Sequence, residues 1–147
     1  MSLQVVEIKQ LENFVAMPVM GSINAAGFDL SAAVTDRLPI AGGQWALIPT
    51  GVSIALPRDM EAQIRPRSGM ALEHGVTVLN APGTIDADYR GEIGVMLINH
   101  GAANFTVERG MRIAQLVIQR VEQIAFKPVR ELTSTERGEG GYGSTGQ

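Results

Sequence analysis

Seventeen glycines and seven prolines cut this chain into apolar runs that are too short for long packed helices. Both residues disfavour helix interiors, so a chain punctuated this way is left with strands and turns. Val52, Ile54 and Leu56 alternate with Ser53 and Ala55, which is the period-two pattern of a strand. Ile93 to Ile98 and Ile113 to Ile118 are near-continuous apolar runs with β-branched content, as expected of strands covered on both faces. One stretch, Ser68 to His74, reads as a helix: Ser68 can cap it, Met70, Ala71 and Leu72 favour it, and Gly75 can end it. The expected fold is all-β, a sandwich or jelly roll with one short helix.

At 147 residues the chain forms one domain around a single core. Its character changes after Leu132. Residues 133–147 are rich in Ser, Thr and Gly, with Tyr142 the only large apolar side chain, and cannot bury enough surface to fold alone. A β domain over residues 1–132 and a glycine-rich C-terminal arm over residues 133–147 are expected. No apolar stretch is long enough to cross a membrane, and Met1-Ser2-Leu3-Gln4-Val5 lacks the features of a signal peptide, so a cytoplasmic location is expected. The absence of cysteine removes disulfides, thiolate nucleophiles and Cys-ligated zinc. His74 and His100 have no partner at a metal-ligand spacing and read as packed or surface residues. A net charge of −3 argues against a general nucleic-acid binder. All cations except Lys9 and Lys127 are arginine, whose planar fork suits a small anion held at a defined site.

The densest chemistry lies in Gly83-Thr84-Ile85-Asp86-Ala87-Asp88-Tyr89-Arg90-Gly91, between two strand-like segments. A solvated turn has no use for two carboxylates, a phenol and a guanidinium together. Such a hairpin suits a general base beside a flat, donor-rich ligand. Residues 138–145 almost spell a phosphate-binding P-loop, but the lysine is missing and no βαβ strand precedes it. What remains is a run of glycines whose amides can approach an anion, with hydroxyls from Ser144 and Thr145 and charge from Arg137. The bland reading is a solvated tail, yet Tyr142 isolated among glycines suits a lid that orders over a ligand. At Pro66-Arg67-Ser68-Gly69, free amides at a helix start beside Arg67 suit an anion, against the bland reading of a common N-cap. Asp29 enters a strand-like segment, and Gln115 sits inside an apolar run, where each alone would read as a turn acid and a hydrogen-bonded core amide.

The order of these signals is more specific than any one of them. Ala-Gly-x-Asp-Leu, Pro-Arg-Ser-Gly, Gly-x-Ile-Asp-x-x-Tyr-Arg-Gly, Gly-x-Arg-Ile-Ala-Gln-Leu and Arg-Gly-x-Gly-Gly-Tyr-Gly-Ser-Thr-Gly succeed one another from Ala26 to Gly146. This pattern closely resembles the five motifs of the trimeric dUTPase family.

The resemblance implies a homotrimer of jelly-roll-like subunits, each site built from more than one chain. It implies hydrolysis of dUTP to dUMP and pyrophosphate with Mg²⁺, which limits uracil in DNA and supplies dUMP for dTMP synthesis. Carried over, Asp86 would activate the water that attacks the α-phosphorus in line. Arg67, Ser68 and the Gly69 amide would hold phosphates, with Gln115 on the same chain of phosphates. Asp29 would hold waters of the Mg²⁺ complex without ligating the ion itself. Arg137, Gly143, Ser144 and Thr145 would close over the outer phosphates, and Tyr142 would stack on uracil. Asn80, Gly83, Thr84, Ile85 and Gly94 would frame the base, while Tyr89 would lie beneath the sugar and exclude a 2′-hydroxyl. As a base Asp86 has to stay ionised, so activity is expected to fall once acid protonates it.

Two features depart from the family's common pattern: Tyr142 stands where Phe is commoner, and Pro82 stiffens the hairpin and removes an amide. Two other readings compete. A related dCTP deaminase would need an acid–base glutamate near the base, for which Glu73 or Glu92 would serve. A non-catalytic binding protein could use the same fold.

Overall fold

Antiparallel pairing accounts for every ladder in the computed structural model, which describes residues 3–143. In chain order the strands are β1 (Glu7–Gln10), β2 (Val19–Met20), β3 (Phe28–Ser31), β4 (Leu38–Ile40), β5 (Trp45–Pro49), β6 (Val52–Ala55) and β7 (Met60–Arg65). A helix, α1 (Ser68–His74), separates these from β8 (Val76–Val78), β9 (Gly83–Ile85), β10 (Gly94–Asn99), β11 (Phe105–Val107) and β12 (Arg112–Arg120). The largest sheet runs β2-β3-β12-β7-β9, a second runs β5-β10-β8, and β1-β6 and β4-β11 form two-stranded ribbons. This is the expected all-β, distorted jelly roll with one short helix. Leu30, Ile48, Val76, Leu97, Val107 and Ile113, from six different strands, meet fully buried in one core. Each such side chain contributes about 1.5–3 kcal/mol of burial free energy. No helix among the described residues is long and apolar enough to cross a membrane.

The helix occupies the expected residues, but one detail of its start differs. Arg67 is the N-cap, in extended conformation, and no side chain caps the helix; Ser68 is already helical and its side chain is exposed. The hydroxyl expected to satisfy the helix end is therefore left for another partner. At the other end Gly75 adopts φ 67°, a left-handed conformation that a side chain would oppose, and its amide bonds the Ala71 carbonyl at 3.0 Å.

Strand coverage also differs from the period-two reading. In β6 Ser53 is buried together with Val52 and Ile54, so this strand is covered on both faces. In β10 Val95, Leu97 and Asn99 are buried while Gly94 and Met96 are exposed. The expectation that Ile93 to Ile98 is covered on both sides therefore fails within one chain. Met96 pairs with Leu47 and Ile98 with Trp45, and Trp45 and Leu47 stand 60% and 64% exposed, leaving an apolar sheet face bare.

A β-bulge in β12 decides which polar side chains share a face. Arg112 pairs with Ser31 and Ala114 with Leu30, so Ile113 is an extra residue, and Ile113 and Ala114 are buried in succession. In a regular strand residues 112 and 115 would point to opposite faces. The bulge puts both on the face that carries Asp29.

Asn99 is fully buried and fully bonded. Its amide donates to the Ile40 and Ala103 carbonyls, both at 2.8 Å, and its side-chain oxygen accepts the Gly101 amide at 2.9 Å. Asn99→Leu strands all three groups, so chemical denaturation should show a loss of about 3 kcal/mol.

Candidate active site

Three strand ends bring the first cluster together. Asp29 on β3 lies opposite Gln115 on β12, and Gln115 in turn lies opposite Arg65 at the end of β7, just before Pro66, Arg67 and Ser68. The Asp29 carboxylate receives Arg112 Nη1 on Oδ2 at 3.1 Å and faces Arg67 Nε from Oδ1 at 3.5 Å. Arg67 Nη1 also donates to the Arg112 carbonyl at 3.1 Å, and Gln115 Nε2 donates to the Pro66 carbonyl at 3.3 Å. The carboxylate side chain is only 14% exposed, whereas Arg112 is 55% exposed. One half-buried acid thus orients two guanidinium groups, leaving net positive charge facing outward. Ser68 and Gly69 are exposed beside them, and among the described residues, chain neighbours and the helix's own backbone aside, nothing lies within 4 Å of where a Gly69 side chain would begin. The arrangement fits an anion with several oxygens.

The second cluster is a cleft of about 220 Å³ under the 83–91 hairpin. Ile64, Asn80, Gly83, Thr84 and Ile85 form one side, and Ile93, Gly94 and Met96 the other, with Asp86, Tyr89 and Glu92 at the turn. The Asn80 amide lies against Gly83, and Gly94 faces the end of the Leu47 side chain. Tyr89 donates its hydroxyl to the Glu92 carbonyl at 2.9 Å, and a Cβ at Gly91 would run into that hydroxyl, so the glycine permits this placement of the ring. Asp86 is exposed, and among the described residues its carboxylate has no hydrogen bond or ion pair. An uncommitted carboxylate at the mouth of a mixed polar and apolar cleft is free to take a proton from a bound water. Ala81–Pro82 is a cis peptide bond.

Within one chain these clusters do not converge. Ile85 pairs with Ala62, and Asp86 continues past it, while Arg67 and Ser68 leave β7 beyond Arg65. Ala62 and Arg65 are three strand steps apart, about 10 Å. The cleft's lining contains two carboxylates and no cation, and it is smaller than the roughly 300–1,000 Å³ of a complete small-molecule pocket.

The arm stands clear of both clusters. Regular structure ends at Arg120, and the residues from Val121 to Glu139 are exposed. Arg137 Nε bonds the Gly140 carbonyl at 2.9 Å, the Gly138 amide bonds Thr135, and Tyr142 is fully exposed with Gly143 beside it. Ser144 and Thr145, expected on the outer phosphates, lie outside the described residues.

Two site residues escaped the sequence reading, Arg112 and Met96, and Glu92 entered it only as the acid–base group of a rival deaminase. Arg112 was visible only as part of a motif, because the bulge that turns it toward Asp29 has no local sequence signature. Met96 sits on β10 and Glu92 two residues before that strand, and the apolar run there hides which residues face the cleft.

Comparison with known proteins shows what the chain is similar to. A family model described as dUTPase matches residues 14–146. The chain is 54% identical over 147 residues to the deoxyuridine 5′-triphosphate nucleotidohydrolase of Rickettsia felis, covering 99% of each. To the enzyme of that name from Rickettsia typhi it is 56% identical over 142 residues, covering 96% of each. The structure of the Staphylococcus bacteriophage 80alpha dUTPase with dUpNHpp matches with a TM-score of 0.89 at 26% identity, over 99% of this chain and 100% of that one. A dUTPase structure from phage phi11 of S. aureus, concerned with the coordination of a structural Mg(II) ion, shares the fold at a TM-score of 0.80 and 23% identity, over 89% of this chain and 100% of that one. With the motifs, the fold and nearly the full length in common, the chain belongs to the dUTPase family.

Proposed function

We propose that this protein hydrolyses dUTP to dUMP and pyrophosphate, in the cytoplasm, as a homotrimer with shared sites. The single observation that carries the reading is the division of labour between the two clusters in a protein of this family. A cleft of mixed polar and apolar lining carries the uncommitted Asp86, and a separate arginine pair carries the positive charge for a triphosphate. They leave opposite ends of β7, so one substrate engages both only if a neighbouring subunit supplies one of them. The bare apolar face of Trp45, Leu47 and Met96 gives those subunits a surface to share.

In this mechanism the cleft receives uracil, with backbone groups of Asn80, Gly83, Thr84 and Ile85 reading its edge and Gly94 allowing close approach. Tyr89 lies against the sugar. A water oxygen attacks the α-phosphorus and gives its proton to Asp86. The bond from that phosphorus to the bridging oxygen breaks, and pyrophosphate leaves. Arg67, Ser68, the Gly69 amide and Gln115 hold the phosphates in line. Arg137, Tyr142, Gly143, Ser144 and Thr145 on the arm close over nucleotide and phosphates.

The donor set bears on the expected Mg²⁺. No group of three His, Asp or Glu among the described residues could cage an ion, and both Asp29 oxygens already face arginines. That fits an ion carried on phosphate oxygens and its own waters, with Asp29 reaching it through water. When bound, the ion offsets the triphosphate charge that repels the attacking water.

One observation weighs against deamination of dCTP. The Glu92 carboxylate is committed to the Gly51 amide and to Asn13, and Glu73 is exposed on α1 beside His74, away from the cleft. The His74 ring packs tilted against Phe105 at 5.2 Å between centroids and does not line the cleft. The test is pyrophosphate release from dUTP, dCTP and dTTP together with the solution mass. Release from dUTP alone by a trimer is expected, and ammonia release from dCTP would overturn the reading.

The sugar contact has its own test. Tyr89→Ala should raise kcat/KM for UTP relative to dUTP by about tenfold to a hundredfold, since a shape barrier of about 1–3 kcal/mol is removed. Unchanged exclusion of UTP would take that role from Tyr89.

A further inference from the structure

The hairpin that carries Asp86 and Tyr89 enters from β9, paired to β7, and packs Ala87 against the core, but on its return side a hydrogen bond moors it at one residue. Between Asp86 and Gly91 every residue except Ala87 is exposed. Among the described residues the turn is otherwise held by its own bonds, from the Tyr89 amide to the Asp86 carbonyl and from Arg90 Nη1 to the Ala87 and Tyr89 carbonyls. The one bond tying it onward is the Tyr89 hydroxyl on the Glu92 carbonyl. Glu92 is fixed in turn by its own side chain, where Oε1 accepts the Gly51 amide at 2.8 Å and Asn13 Nδ2 at 2.9 Å. The loop carrying Asn13 is itself held, because Arg109 Nη2 donates to the Asn13 and Phe14 carbonyls at 3.1 and 3.2 Å. Past Glu92 the chain is already rigid: Ile93 is 1% exposed, donates its amide to Val52 and accepts the Thr50 hydroxyl at 2.6 Å.

We infer that Glu92 is a positioning residue for sugar discrimination, with its carboxylate gripping two neighbouring loops so that its carbonyl holds the Tyr89 phenol at the cleft. The inference rests on the hydrolase reading above. A carboxylate suits the task because one anionic oxygen can accept two donors that approach from different segments. Without it the Gly51 amide loses its acceptor, the Glu92–Ile93 peptide keeps only the bond from the Ile93 amide to Val52, and the ring's registration against the sugar loosens. A displacement of this kind alters selectivity well before it abolishes turnover.

The test compares kcat and KM for dUTP and UTP in Glu92→Ala, Glu92→Gln and Asn13→Ala, with a melting curve for each. Glu92→Ala should reduce the dUTP-to-UTP ratio of kcat/KM about tenfold, mainly through a higher KM for dUTP and a gain on UTP. Glu92→Gln keeps an oxygen that accepts both donors and should restore the ratio to within about twofold of wild type. Asn13→Ala removes one donor from outside the hairpin and should shift the ratio about threefold in the same direction, which serves the test should Glu92→Ala not fold. A role confined to stability would lower the melting temperature and leave the ratio alone, and that outcome overturns the inference. A Glu92→Gln variant as permissive as Glu92→Ala overturns it as well. Wild-type protein inert toward dUTP instead overturns the hydrolase reading, and with it this one.

Discussion

Asp86→Asn should lower kcat for dUTP by about a thousandfold, in the range expected for loss of a positioned general base. The change is nearly isosteric, so what disappears is the capacity to take a proton from the attacking water. The site permits a clean experiment, because the Asp86 side chain is exposed and uncommitted among the described residues and its loss leaves no buried partner stranded. Melting temperature and oligomeric mass should stay at wild-type values. Binding of a non-hydrolysable deoxyuridine triphosphate analogue should stay within a few-fold, since the proposed base contacts come from Asn80 to Ile85 and the proposed phosphate contacts from Arg67 to Gly69. Equal loss of binding and turnover would recast Asp86 as a substrate contact, and near-normal turnover would remove it from the chemistry.

The second large effect concerns the arm. Removing residues 133–147 should reduce kcat by about a hundredfold to a thousandfold, because the truncated chain loses Arg137 over the phosphates and the closure that excludes bulk water. Stability should barely change. Among the described residues the arm's bonds are internal, from Arg137 to Gly140 and from Gly138 to Thr135, and Tyr142 buries nothing against its own subunit. A glycine-rich segment has much backbone freedom to lose on closing, so it orders only where a ligand offers charge and an aromatic surface in return. Arg137→Ala in the full chain separates the two contributions. It should account for at least about tenfold of the loss, with the remainder assigned to enclosure. A truncated protein that turns over dUTP at the full-length rate would show that the arm has no catalytic part.

Much of the molecule is readable residue by residue. Glycine and proline punctuation gives short strands, and Gly75 stops α1 where a left-handed turn is needed. The acids, phenol and arginine between Gly83 and Gly91 do form an exposed hairpin over a cleft. Each of these depends on a backbone preference or a side chain's chemistry, which acts over a few neighbours and is written in the local sequence. The misses share a different origin. Ser68 has the chemistry of a cap and is not one, because the chain turns into the helix at Arg67. Ile93 to Ile98 has the composition of a strand covered on both faces, yet Met96 is exposed and Ile98 only half-buried.

The amino-acid order by itself determined the all-β class and the single short helix, and it supplied the candidate site residues. Tertiary structure alone decided which of them meet. Asp29 meets Arg112 because a bulge at Ile113 resets the face of β12, and Glu92 grips Gly51 across 41 positions of chain. The same register puts Asp86 and Ser68 at opposite ends of β7. Pairing register and bulges are set by long-range burial summed over the whole sheet, so no short window of sequence contains them.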